Sequence, residues 1–263
     1  MIDILDSCLK QYHYAFDEKI QYDNIKFYKN DDRNIASYFL INSVDCVGFE
    51  TDGDKMKLAL EKLEIEYSTN GEDIEKLPLK IAIQNSFGNN QEASQIDKNT
   101  SAIYLIKFNN MENLNLHRNL VYAIEESPNY FKRYILPYTE KQTDGLRNII
   151  NDHHPRKVNE VLSEIANDED EYYKLMEGKN IGSVYELVIR LFSKIPFLQY
   201  QFSASTMPKP IEEDIIQNIN NEGLGNYHKA IDTQQIDLKI LLDITSGIGD
   251  EEIEKELNSL LEE

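Results

Sequence analysis

The sequence predicts an α+β fold: a small mixed sheet with packed helices in the amino-terminal half, followed by an all-helical carboxy-terminal part. Three observations predict it. The strand-like apolar runs Asn24 to Lys29, Ala36 to Asn42 and Ala102 to Phe108 all precede residue 126. Segments with apolar residues every three or four positions lie between them, as helices packed on a sheet require. Beyond residue 126 only the helical interval recurs. This predicts an α+β domain over 1–126 and a helical domain over 127–263, with the junction near 126 to 137.

Taken in order, Ile2, Leu5, Cys8, Leu9, Tyr12 and Phe16 line one face of an amphipathic helix over 2–16. The next two runs are separated by Asn30-Asp31-Asp32-Arg33-Asn34, a polar turn that predicts a hairpin. In the second run Tyr38-Phe39-Leu40-Ile41 is apolar on successive residues, so that strand is central and covered on both faces. Thr51-Asp52-Gly53-Asp54 starts a helix that carries Met56, Ala59, Leu60 and Leu63. Leu77 to Ile83 fits a strand or a short helix, and the polar, Asn-rich residues 85–100 predict a loop. The strand over 102–108 is followed by a helix through Leu116, Leu120, Val121 and Ile124. Val158, Val161, Leu162 and Ile165 mark another helix. Ser183 and Glu186 form a capping-box pair before Val184, Leu187, Val188, Leu191, Phe192 and Ile195, and Pro196 ends that helix. A connector over 203–210, helices over 211–219 and 236–244, a break at Gly247-Ile248-Gly249 and a last helix from Asp250 complete the chain.

At 263 residues and 41% hydrophobic content, the chain can bury a core without a metal or disulfide staple. Cys8 and Cys46 have neither metal-site spacing nor the number for a disulfide framework, which predicts reduced thiols in a cytoplasm. Asp3 and Asp6 interrupt the first apolar residues, so no secretory leader is predicted. The longest apolar runs fall far short of the roughly 20 residues that cross a bilayer, so no membrane contact is expected. There are 47 acidic and 27 basic side chains, a net charge of -20 and a pI near 4.6. That balance argues against broad, autonomous nucleic-acid binding, which depends on Lys and Arg contacts to phosphate. It suits solubility or docking against a basic partner.

The search for chemistry finds no catalytic signature. None of His13, His117, His153, His154 and His228 stands four residues from another, as a helical zinc pair would. Asp52-Gly53-Asp54 begins like a calcium loop, but the twelfth position is Leu63 where a bidentate Glu is needed. Gly247-Ile248-Gly249 lacks a third glycine and a preceding strand. Asp45, Glu50 and Lys107 are the candidates for a metal-dependent nuclease, although their spacing does not form a recognisable acidic metal motif. Catalytic residues, metal ligands and cofactors are therefore expected to be none.

One segment stands out. Tyr130, Phe131, Tyr134, Ile135 and Tyr138 would form an aromatic face opposite Lys132 and Arg133 if the segment is helical, with Pro128 at its start and Pro137 at its end. Such a face is either the core of the junction between the two parts or an interaction element rich in hot-spot residue types.

The run Ile103-Tyr104-Leu105-Ile106-Lys107, then Ala123-Ile124-Glu125-Glu126-Ser127-Pro128, then Tyr130-Phe131-Lys132-Arg133-Tyr134-Ile135-Leu136-Pro137-Tyr138-Thr139-Glu140 resembles the middle component of three-component ABC ATPase defence systems, the Lamassu group. Ser127 stands where that pattern has an acidic residue. The resemblance implies a non-enzymatic adaptor between an SMC/Rad50-like ABC ATPase subunit and an effector nuclease subunit in bacterial anti-phage or anti-plasmid defence. ATP, magnesium and DNA would belong to the partners, with DNA reached only through the complex. The residues expected to contact a partner are Tyr130, Lys132, Arg133 and Tyr134. Two other classes stay open on the residues alone: a metal-dependent nuclease and an acidic toxin-neutralising protein.

Overall fold

A strand that is apolar on successive residues must be covered on both faces, so a sheet built on Tyr38-Phe39-Leu40-Ile41 needs two layers of helices. The computed structural model of the chain has that arrangement. It describes residues 1–20, 22, 24–32, 36–69, 77–88 and 90–201. The chain divides into two units, Met1–Ser203 and Ala204–Glu263, and the first is described here. The connector expected over 203–210, the helices over 211–219, 236–244 and from Asp250, and the break at Gly247 lie outside the described residues.

Five strands stand side by side in chain order: β1 (Tyr14–Phe16), β2 (Ile25–Asn30), β3 (Tyr38–Asp45), β4 (Thr100–Phe108) and β5 (Lys132–Thr139). β1, β2 and β3 are antiparallel, whereas β3, β4 and β5 are parallel, so the sheet is mixed. The expected hairpin pairs Ile25 with Asn42 and Lys29 with Tyr38. The helices are α1 (Ile2–Gln11), α2 (Gly53–Ser68), α3 (Leu79–Ser86), α4 (Asn90–Ser94), α5 (Ile96–Asn99), α6 (Arg118–Glu125), α7 (Glu140–Asp152), α8 (Val158–Ala166), α9 (Glu169–Met176) and α10 (Val184–Lys194). A 3-10 turn, Met111–His117, leads into α6.

Alternation along the strands divides the core in two. Phe27, Leu40, Tyr104 and Ile135 face one way and meet Met56, Leu60 and Leu63 of α2, with Ile83 and Ile124 of α3 and α6. Tyr28, Phe39, Ile41, Ile103, Leu105 and Leu136 face the other way and meet α1, α7, α8 and α10. Each fully buried Leu, Ile or Phe is worth about 1.5–3 kcal/mol, so either layer alone outweighs any single polar contact described below. Both connections between parallel strands, through α2 to α5 and through α6, pack on the same face.

Several elements depart from their sequence pattern. The helix expected over 2–16 ends at Gln11, because His13 takes a left-handed φ of 63° and turns the chain into β1. The turn brings Tyr14 onto Phe39, ring centroids 4.9 Å apart. Residues 85–100, expected as a loop, include α4 and α5, the latter anchored by the buried Ile96. Of the stretch Leu77 to Ile83, the residues from Leu79 onward form the start of α3.

The segment over 130–138, read as a proline-bracketed face if helical, instead enters β5 at Lys132, and among the described residues β5 is the edge strand, paired with β4 alone. Proline is tolerated in an edge strand because its missing N–H faces away from the ladder. The expected junction near 126 to 137 thus falls on a strand of the sheet, and the described residues from 140 to 201 carry helices only. A capping box at Thr139 and Gln142 starts α7. Ser183 caps α10 by accepting from the Glu186 amide at 3.1 Å, while Glu186 reaches the Gly182 amide. Gly145 lets α7 approach α10 closely, since a Cβ there would lie 2.7 Å from Val184 Cγ2.

Candidate partner-binding surface

Because 130–138 leads into a strand, its side chains alternate between faces and do not form a helical stripe. Arg133 shares its face with Phe131 and Ile135, towards α2. Its side chain is 1% exposed, and Nη2 donates to Glu64 Oε2 at 2.9 Å and to the Asn129 carbonyl at 3.2 Å. The guanidinium lies 5.4 Å from the centre of the Phe131 ring, and its Nε has no partner among the described residues. Asn129 Nδ2 donates to the other Glu64 oxygen at 2.8 Å. Glu64 therefore clamps the chain where it enters β5.

The other three expected contact residues lie elsewhere around this point. Tyr130 has a left-handed φ of 60° and is 38% exposed, with its ring 5.2 Å from Tyr67 and the Lys80 ammonium 5.6 Å from its centre. Lys80 is also held by Asp97 at 2.5 Å, and Asp97 accepts from the Tyr67 hydroxyl at 2.6 Å. Burial, then the Asp97 bond and charge, push the Tyr67 hydroxyl pKa far up, so it stays a donor. Lys132 is exposed, and Tyr134 is half-buried against the core on the α1 side. All four line a shallow depression of about 460 Å³ together with Lys98, Ser127 and Pro128.

Further along β5 the outer edge is closed by side-chain chemistry. The Ile135 N–H donates to Glu125 Oε1 at 2.9 Å, and two residues on Pro137 has no N–H to offer. Lys194 of α10 donates to both Glu125 oxygens at 2.7 Å. Burial lowers the Arg190 pKa, opposed by the charge of Glu186, with which it pairs one helical turn away. An edge protected in this way resists pairing with another strand.

The nuclease candidates do not assemble a metal site. Asp45 and Lys107 meet at 3.8 Å at the carboxyl ends of β3 and β4, and Lys107 also pairs with Glu140 at 3.2 Å. Glu50 is buried and committed elsewhere: it accepts from the Asn109 amide and from Asn113 Nδ2 at 2.6 Å. His117 Nε2 sits 2.6 Å from the Glu50 carbonyl, which ties the same turn down. No group of three potential metal-ligating side chains occurs among the described residues. None of the described helices is long and apolar enough to cross a membrane.

At this end of the sheet the described residues thus combine a two-sided core, an edge closed by side chains, and the exposed Tyr130 and Lys132. Residues 37–166, from the approach to β3 to the end of α8, match the family model described as ABC-three component (ABC-3C) system Middle Component 1. Over those residues the chain is similar to the middle components of ABC-three component systems. A middle component is one part of a multi-subunit assembly, so protein partners come with the family. No curated protein and no solved structure matches the chain.

Proposed function

We propose that the chain is a non-catalytic adaptor that joins an SMC/Rad50-like ABC ATPase to a nuclease effector in bacterial anti-phage or anti-plasmid defence of the Lamassu type. The match of residues 37–166 to a middle component carries this reading. In it the protein works in the cytoplasm, and its partners handle ATP, magnesium and DNA. Two features of the sheet support a role without chemistry of its own. Ligands in open α/β sheets bind where successive crossovers part to opposite faces, and here both crossovers share one face. Glu50, one of the two carboxylates the nuclease reading needs, is consumed in holding a turn.

The contact at the amino-terminal end of β5 is assigned in this reading to Tyr130 and Lys132, with Tyr134 beside them and Arg133 fixing the backbone beneath. The test is co-expression of the tagged chain with the ABC ATPase and effector subunits encoded beside it, followed by capture at low and moderate salt. Recovery of both partners is the expected result. Capture of neither at either salt would sink the adaptor reading.

A further inference from the structure

Between α6 and α10, over the carboxy-terminal part of β5, lies a groove of about 540 Å³ floored by Ile135 and Pro137. Its walls include Leu114 and Val121, and at its rim Tyr122 and Ile181 are 62% and 59% exposed. We propose that this groove receives an amphipathic α-helix of a partner subunit that carries acidic side chains along one flank. The inference rests on the adaptor reading and adds the place and chemistry of one contact.

Two observations select this occupant. The first is the backbone of β5. An added strand needs free donors at the sheet edge, but the Ile135 N–H is taken by Glu125 and Pro137 has none. A helix satisfies its own backbone and asks of a groove only apolar contact at positions i, i+3, i+4 and i+7. The second is charge. The groove is lined by Arg118, Arg190 and Lys194 against Glu125 and Glu186, and both carboxylates are already paired, with Lys194 and Arg190. Arg118 donates through Nε to Asn115 Oδ1 at 3.1 Å and has no carboxylate partner among the described residues. In a chain with 47 acidic and 27 basic side chains, a groove with a spare cation is set apart from the average surface. An acidic flank on the incoming helix complements it.

The test uses the full chain in complex with its co-expressed partners. A photo-crosslinking amino acid in place of Tyr122 is expected to capture a partner peptide whose apolar residues follow the helical interval, with Asp or Glu beside them. Arg118→Glu and Ile181→Asp alter exposed side chains, so thermal unfolding should match wild type while affinity falls about tenfold or more, as loss of a hot spot does. Arg118→Lys should keep most of the binding. Affinity within about twofold of wild type for both disruptive variants would overturn the proposal. So would a crosslink to a second copy, to the chain itself or to a peptide of alternating, strand-like pattern. If the wild-type chain captures no partner, the adaptor reading falls and the groove with it. If the complex forms and ignores these substitutions, only the groove falls.

Discussion

At the scale of single residues, the pair formed by Arg133 and Glu64 shows what the strand alternation does. The Arg133 side chain is 1% exposed and that of Glu64 27%, so the two partners do not lose equally when separated. A Glu64 left without Arg133 can rehydrate, while an Arg133 left without Glu64 is a buried charge with little compensation. Glu64→Ala is therefore expected to cost about 3 kcal/mol or more, and Arg133→Leu less, about 1–2 kcal/mol, because an apolar side chain fills the space. Urea unfolding of both variants checks this. An Arg133→Leu protein less stable than Glu64→Ala would contradict the geometry. None of this was legible in the sequence, since the two residues are 69 positions apart and nothing in the pattern around Lys62-Leu63-Glu64 marks a partner. Glu125 and Lys194, also 69 apart, were hidden for the same reason.

At the scale of elements, legibility followed how completely local pattern decides burial. β3 was legible because four successive apolar residues leave no face for water, and all four are buried. α2 was legible from its cap: Asp52 accepts from the Lys55 amide at 3.1 Å, and Met56, Leu60 and Leu63 follow on the buried face. β5 was not, because its apolar and aromatic residues satisfy intervals of two and of three or four alike. Arg133 also interrupts the apolar alternation, and Pro137 argues against a strand unless the strand is at an edge. Edge position is a property of the whole sheet. Close approach of helices is equally invisible in sequence, and Gly145 supplies a test. Alanine normally stabilises a helix relative to glycine by about 1 kcal/mol. Here the added Cβ would lie 2.7 Å from Val184 Cγ2, an overpacking that costs about 1–3 kcal/mol. The clash should win, so Gly145→Ala is expected to lower the denaturation midpoint and Val184→Ala to restore part of it. A more stable Gly145→Ala protein would show that α7 and α10 sit further apart.

At the scale of the whole molecule, burial sets how stability responds to alkali. Burial pushes the Cys8 thiol up to about 12. Burial, then the charges of Asp45 and Glu50, push Cys46 to about 12 as well. Tyr138 is held at about 12 by burial and then by Asp45 and Glu140. In the unfolded chain a thiol releases its proton near pH 8.5 and a phenol near 10, at about those values. The folded state thus keeps protons that the unfolded state sheds. The stability tied to them is complete below about pH 8.5 and is lost as pH rises towards 12. For Cys8 alone the loss should be about 2 kcal/mol at pH 10. Urea midpoints are expected to be level from pH 7 to 8 and to fall steadily above 9, with Cys8→Ala removing about half of the earlier part of the slope and Cys46 keeping the rest. A midpoint that stays level to pH 11 would contradict the burial of these groups.

In the proposed adaptor role this chain bridges two proteins that do not otherwise meet. The most direct measurement is the mass of complexes formed from purified components, by size-exclusion chromatography with light scattering. The ABC ATPase and the effector subunit are mixed with and without this chain. The account predicts a ternary complex only when the chain is present, and separate ATPase and effector peaks when it is absent. A stable ATPase–effector complex without the chain, or a chain that joins only one of them, would contradict it.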